Sequence, residues 1–437
     1  MHFIKKLISV TFFLSIYISV YGQMTYIGLK DESNVRNAQN LLLNNQVETY
    51  WTETQIIDDY FYVPTVKGIY RKNLNTLNTT DWELYAFDGI PIIDFIKNND
   101  TIMAATAVWS DKELLLLSVD DGLTYIDYTP SSFPYIEDKG RILRITQNPH
   151  NRNTIAFMYI GRGGVSLSRD FGLSWEHQNT IIGGYQDWFL GFNPNDTTNI
   201  FHTGEQMFFS SYIKATYNNG ASWTTVEEIH NHCTHNIAFH PFDKNIMVSG
   251  GEGRLAKSTN QGMSWTTVES VYEYVFKIIY DNQNPNILYA VGDDHGVFYN
   301  LRILRSIDGG DNWHVFYEEV IEDSDGILDI HLHNNKLIVY TLVNGVYYLD
   351  LNTVNIEQIE SDKQLIIYPN PFELCLNINS DCTMRNIKIY DSQGKHISEE
   401  ILNTTNATIH LNKLPLGLYL LLIDTEKGLV TRKVLKK

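Results

Sequence analysis

Ser168-Arg-Asp170-Phe-Gly172-Leu-Ser-Trp175 is one of five copies of a single turn, S-x-D-x-G-x-x-W, spread along the chain. The others are Ser118-Val-Asp120-Asp-Gly122-Leu-Thr-Tyr125, Thr216-Tyr-Asn218-Asn-Gly220-Ala-Ser-Trp223, Ser258-Thr-Asn260-Gln-Gly262-Met-Ser-Trp265 and Ser306-Ile-Asp308-Gly-Gly310-Asp-Asn-Trp313. Each position has a physical task. The Asp or Asn oxygen accepts hydrogen bonds from the turn's own amides, the Gly permits positive φ, and the aromatic opens the next strand and packs between units.

The first residues of successive copies lie 50, 48, 42 and 48 positions apart, a period that fits a four-stranded propeller blade. Four copies follow a Pro-led turn and a short apolar strand ending in Gly, from Pro149, Pro194, Pro241 and Pro285 to Gly161, Gly204, Gly250 and Gly292. A unit therefore reads strand, turn, strand, loop, strand, box, strand. Gly68 to Arg71 followed by Asp81-Trp82 reads as a degenerate unit upstream, and Asn344 to Tyr348 as another downstream. The expectation is an all-β, seven-bladed β-propeller over 23–360, with six or eight blades as alternatives.

These turns resemble the Asp-box, or BNR repeat, of sialidases and related propellers. There the motif is structural and lies on the face opposite the active site, so the resemblance speaks to fold and hardly to catalysis.

Lys5 and Lys6 precede the apolar run 7–20, and residues 1–22 read as a secretory signal with a mature start near Gln23. No other stretch approaches the ~18 apolar residues a membrane helix needs. After Ser361 the boxes stop. Tyr368-Pro-Asn-Pro371, 387–394, Leu414 to Tyr419, Lys427-Gly428 and a basic end at Lys436-Lys437 form a compact segment of alternating strands. Residues 361–437 thus resemble a type A C-terminal sorting domain of the type IX secretion system, a small β-sandwich-like unit. The resemblance implies the type IX machinery as a partner, export across a Gram-negative outer membrane, and an extracellular or cell-surface location. Cys375 and Cys382 flank an expected turn at 379–381, which places a cross-strand disulfide within reach.

The chain carries a formal charge of −18, with the acid concentrated in 23–362. Nucleic acid is excluded as a partner, because neutralising phosphates needs clustered Lys and Arg. If the box joins the third and fourth strands of a blade, a ligand site belongs to the loops on the opposite face. Those loops are expected to supply acids such as Asp94; Asp187, Glu205 and Glu252, with Tyr272 and Glu273, are the candidate catalytic groups there, and Trp109, Arg162, Trp188, Arg254 and Tyr274 are the candidate binding groups. His230, His232 and His235 surround Cys233 on one loop and could take a divalent metal, although their spacing matches no standard site; otherwise no cofactor is expected.

A sialidase needs an arginine triad, a Tyr/Glu pair and an acid. Arginines and the run Tyr272-Glu273-Tyr274 are present, but the Phe-Arg-Ile-Pro signature that opens the sialidase propeller is missing. The leading expectation is a non-catalytic binding or scaffold module for extracellular glycan or protein. A two-carboxylate glycosidase is the alternative.

Overall fold

The turn at Ser168 shows how the repeat folds. Ser168 Oγ donates to Asp170 Oδ1 at 2.8 Å and accepts from Gly172 N at 2.7 Å, while Asp170 Oδ1 accepts from Ser174 N at 2.8 Å. Gly172 sits at φ +86°, where a Cβ would also come within 2.7 Å of Tyr128. The same bonds recur at Ser118, Thr216, Ser258 and Ser306. Trp175 and Trp313 close their turns by donating from Nε1 to the carbonyls of Gly172 and Gly310.

The computed structural model describes residues 24–29, 53–106, 114–131, 141–160, 164–178, 184–206, 210–230, 233–269, 274–293, 300–320, 327–341, 345–352, 365–391, 395–426 and 428–437. The signal region, the boundary near 360, Trp109, Arg162, His232, Tyr272 and Glu273 lie outside the described residues.

Seven four-stranded antiparallel sheets follow one another along 24–352. Blades 1 to 6 span 55–86, 92–127, 141–178, 184–230, 234–269 and 274–320, each in consecutive strand order. Blade 7 is assembled from both ends of this unit. Its three inner strands are Asp329–His333, Lys336–Thr341 and Gly345–Asp350, and its fourth is Thr25–Gly28, paired antiparallel to Gly345–Asp350. Seven blades match the expected number, but Met24 does not begin the first of them. The amino-terminal strand instead closes the ring. Ile27 is fully buried there with Phe61, Val63, Ile338 and Val346, one core spanning blades 1 and 7.

Each box joins the third and fourth strands of its blade, as at Gly164–Ser168 and Glu176–Gln178. Blade 1 lacks a box, and a 3-10 turn at Leu74–Thr76 takes its place. Trp82 still donates from Nε1 to the Ile27 carbonyl at 2.8 Å, so the aromatic keeps its packing role without the motif.

The carboxy-terminal unit is a separate five-stranded sheet. Its long strand Cys375–Asp391 pairs with Leu365–Tyr368 in its first half and with Gly417–Thr425 in its second, closing over Leu376, Ile378, Ile387, Ile389 and Leu421. No turn forms at 379–381, because this strand runs on through it. Cys375 and Cys382 are free thiols on one strand, so the expected disulfide does not form.

Candidate functional site: the propeller lumen

The innermost strand of each blade begins on the face opposite the boxes. Five of these strands share a register shift near that end, at Ile92/Asp94, Ile142/Arg144, Asp187/Phe189, Thr234/Asn236 and Val275/Lys277. A bulge places two residues against one and re-aims the side chains beside it. The residues skipped in three of these shifts, Trp188, His235 and Phe276, line one cavity.

The residue at this level, which follows the bulge in blades 2 and 5 and opens the unbulged inner strand of blade 7, stitches blades together. Asp94 Oδ2 accepts from Ile145 N at 3.0 Å, Asn236 Oδ1 from Ile278 N at 3.1 Å, and Asp329 Oδ2 from Thr54 N at 2.9 Å. In each case the donor is the next blade's backbone, and the last bond crosses the seam between blades 7 and 1. By the same register Glu53, Arg144 and Lys277 occupy this level in blades 1, 3 and 6. There they form a charged cluster instead of a stitch. Glu53 Oε1 lies 3.1 Å from Lys277 Nζ and 3.8 Å from an Arg144 guanidinium nitrogen. Lys277 Nζ lies 3.9 Å from Asp329, and Thr54 Oγ1 donates to Asp329 at 2.7 Å.

The charges set one another's ionisation. Burial opposes ionisation of Glu53, but Arg144 and Lys277 outweigh it and hold the carboxyl below its ordinary value. Asp329 is held well below the carboxylate range, because Lys277, His331 and Thr54 outweigh its burial. Burial and the Glu53 charge push Asp94 up to about 7. Lys277 is raised, since Glu53 and Asp329 outweigh the effect of its burial.

Above the charges stands an aromatic wall. The rings of Trp188 and His235 are 4.4 Å apart, His235 stacks on Tyr274 at 5.9 Å, and Phe276 lies 5.5 Å from His235. Burial lowers the His235 imidazole to about 4. Trp188, His235, Phe276, Glu53, Arg144, Lys277 and Asp329 enclose only about 20 Å³ of free space. That is roughly the room one water needs, against the ~300–1,000 Å³ of a small-molecule site.

Trp188 and Tyr274 thus both pack on the His235 ring, and of the expected catalytic side chains those of Asp187 and Glu252 are described. Asp187 is buried beneath the wall, 3.2 Å from both the Tyr212 hydroxyl and His202 Nε2. It is a buried residue of the strand Gly184–Phe192, which corrects the expectation of a loop acid. Asp94 is likewise a buried strand residue and not a loop acid. Glu252 accepts from the Tyr274 hydroxyl at 2.7 Å. Arg254 is committed to Glu227 at 2.7 Å and to Thr267 at 2.9 Å, so it is not poised to grip a ligand. Glu205 and His230 lie on strands, with side chains outside the description. Among the three candidate metal histidines only the His235 side chain is described, and it faces aromatic rings. Among the described residues no cluster of three His, Cys, Asp or Glu could hold a metal.

Glu53, Arg144, Lys277, Asp329 and Phe276 were missed from sequence. A signal was available: with the repeats aligned, Glu53, Arg144, Lys277 and Asp329 share one level at the start of an innermost strand, and Phe276 directly precedes it. The bulge hides it, because it breaks the period-2 alternation that tells inward from outward residues.

A β-propeller of seven blades followed by a secretion-system sorting domain is the class these features define. Residues 366–437 match the family described as secretion system C-terminal sorting domain. Such domains mark proteins exported by the type IX system to the cell surface or extracellular space, and this protein is one of them. No curated protein matches the chain. Among solved structures it resembles YCF48 from Cyanidioschyzon merolae, with 12% identity and a TM-score of 0.50 over 69% of this chain and 95% of that one. It also resembles PorZ of Porphyromonas gingivalis, described as an essential bacterial surface component of the type-IX secretion system, with 13% identity and a TM-score of 0.49 over 88% of this chain. The chain spans 59% of the PorZ structure's length. An ancestral GH74 enzyme matches at 15% identity and a TM-score of 0.45, over 70% of this chain and 38% of that one. The YCF48 likeness agrees with the fold. No helix among the described residues is long and apolar enough to cross a membrane.

Proposed function

We propose that this exported propeller is a non-catalytic binding or scaffold module that recognises extracellular glycan or protein through the face opposite its boxes. The observation that carries the reading is the charge cluster that fills the lumen at the end opposite the boxes. The place where a propeller enzyme would seat its reacting group is closed by Glu53, Arg144, Lys277 and Asp329, with about 20 Å³ left free. Glycosidase chemistry needs two carboxylates facing each other across a sugar, about 5 to 10 Å apart. Asp187 is buried against Tyr212 and His202, and Glu252 is bonded to Tyr274, so neither is arranged for that work.

What remains at the lumen mouth is a rigid aromatic surface of Trp188, His235, Tyr274 and Phe276 from three consecutive blades, the kind of anchor that binds without reacting. The test is binding of the purified protein to arrayed extracellular glycans and to surface proteins of its own cells. The reading expects a ligand whose affinity falls at least about tenfold in Trp188→Ala. Binding that survives loss of Trp188 and of Tyr274 would move the recognition surface elsewhere.

A further inference from the structure

The sorting unit has one long edge without a partner. The strand His396–His410 pairs along its whole length with Cys375–Asp391 on one side, and among the described residues no strand pairs with its other side. The remaining edges are shorter. Leu365–Tyr368 has four residues, and the nine-residue strand Gly428–Lys436 is bonded on its far side at its carboxy-terminal end: Phe372 N donates to the Leu435 carbonyl at 2.9 Å, and Leu435 N to Asn370 Oδ1 at 2.9 Å.

Proteins usually shorten, cover or charge such an edge, since its free N–H and C=O groups template pairing with another chain. Here residues 396–401 are exposed on both faces, with Ile401 76% and Ile397 36% exposed. Between them lie two acids. Glu399 is 3.7 Å from Lys388 on the paired strand, and Glu400 is exposed.

We infer that the half-strand 396–402 is a docking edge, read by β-strand addition of an extended, basic segment of the secretion machinery. Main-chain ladder bonds would supply the affinity, and alternate side chains the choice of partner. Two observations select this occupant. A sorting domain has to be read by the machinery that exports it, and the strand His396–His410 is the longest open ladder among the domain's described residues. The acids select the sign: a basic residue opposite Glu399 and Glu400 adds a cross-strand ion pair. A second copy of this chain fits worse, because two-fold pairing centred here sets Glu399 and Glu400 against themselves. The inference rests on the sorting domain and not on what the propeller binds.

The test is export of the full-length protein from its own cells, read as the ratio of periplasmic to surface and secreted protein. Glu399→Lys with Glu400→Lys is expected to raise that ratio by about tenfold or more. The control Glu373→Lys with Glu426→Lys reverses two exposed acids elsewhere in the same domain and is expected to export normally. Purified double variants should share the wild-type unfolding midpoint. If the reversal unfolds the domain, Glu399→Gln with Glu400→Gln carries the same prediction at smaller amplitude. Wild-type export of a folded 399/400 variant overturns the proposal, as does equal retention of the control.

Discussion

Ser168 is fully buried, donates to one side chain and accepts from the Gly172 amide, so its hydroxyl holds the whole turn. Ser168→Ala leaves that amide without a partner and is expected to cost about 1–3 kcal/mol, read by denaturant unfolding. His235 carries a pH signature. Its imidazole is lowered to about 4 by burial, against an ordinary value of 6.5, so the fold favours the neutral ring. The stability this contributes is present in full above pH 6.5 and is lost as pH falls toward 4. The expected span is about 3 kcal/mol, and His235→Phe should flatten that part of the wild-type profile in urea melts between pH 7 and 4. The two residues differ in how readily sequence reveals them. Ser168 was legible because each atom of its turn has a local partner at fixed offset. The surroundings of His235, built from Trp188, Tyr274 and Phe276 on other strands, depend on how three blades meet.

At the scale of elements, the innermost strands hold the propeller's polar architecture. Lys277 sits between Glu53 and Asp329, and replacing it by Met removes the ammonium they share and leaves Glu53 with Arg144 alone. Loss of one member of a buried ion cluster costs about 3–5 kcal/mol. A fifth of the Lys277 side chain meets solvent, which places the expected loss near the lower figure. Ring closure makes a second prediction. The four-residue strand Thr25–Gly28 completes blade 7, and Ile27 is fully buried within the core shared by blades 1 and 7. Ile27→Ala should cost about 2–5 kcal/mol, again by denaturant unfolding. The closing strand was not legible in the sequence. Four residues, TYIG, carry too little alternation to announce a strand, and the partner at Gly345–Asp350 lies at the far end of the propeller. The box-bearing blades were legible because their strands and turns are local and repeated.

For the whole molecule, two chemistries divide the work. The sorting unit carries the address, and its exposed edge strand is where the secretion machinery is expected to read it. The propeller presents a ring whose lumen is filled by charge pairs at the end opposite the boxes, with aromatic side chains beside them, and the proposed recognition belongs to that end. The most direct measurement incubates the purified protein with sialylated, plant and host polysaccharides, following both bound polymer and released oligosaccharide by mass spectrometry. The account predicts retention of a ligand with no product. Released oligosaccharide that disappears in Asp187→Asn, Glu205→Gln or Glu252→Gln would contradict it and make the protein a glycosidase.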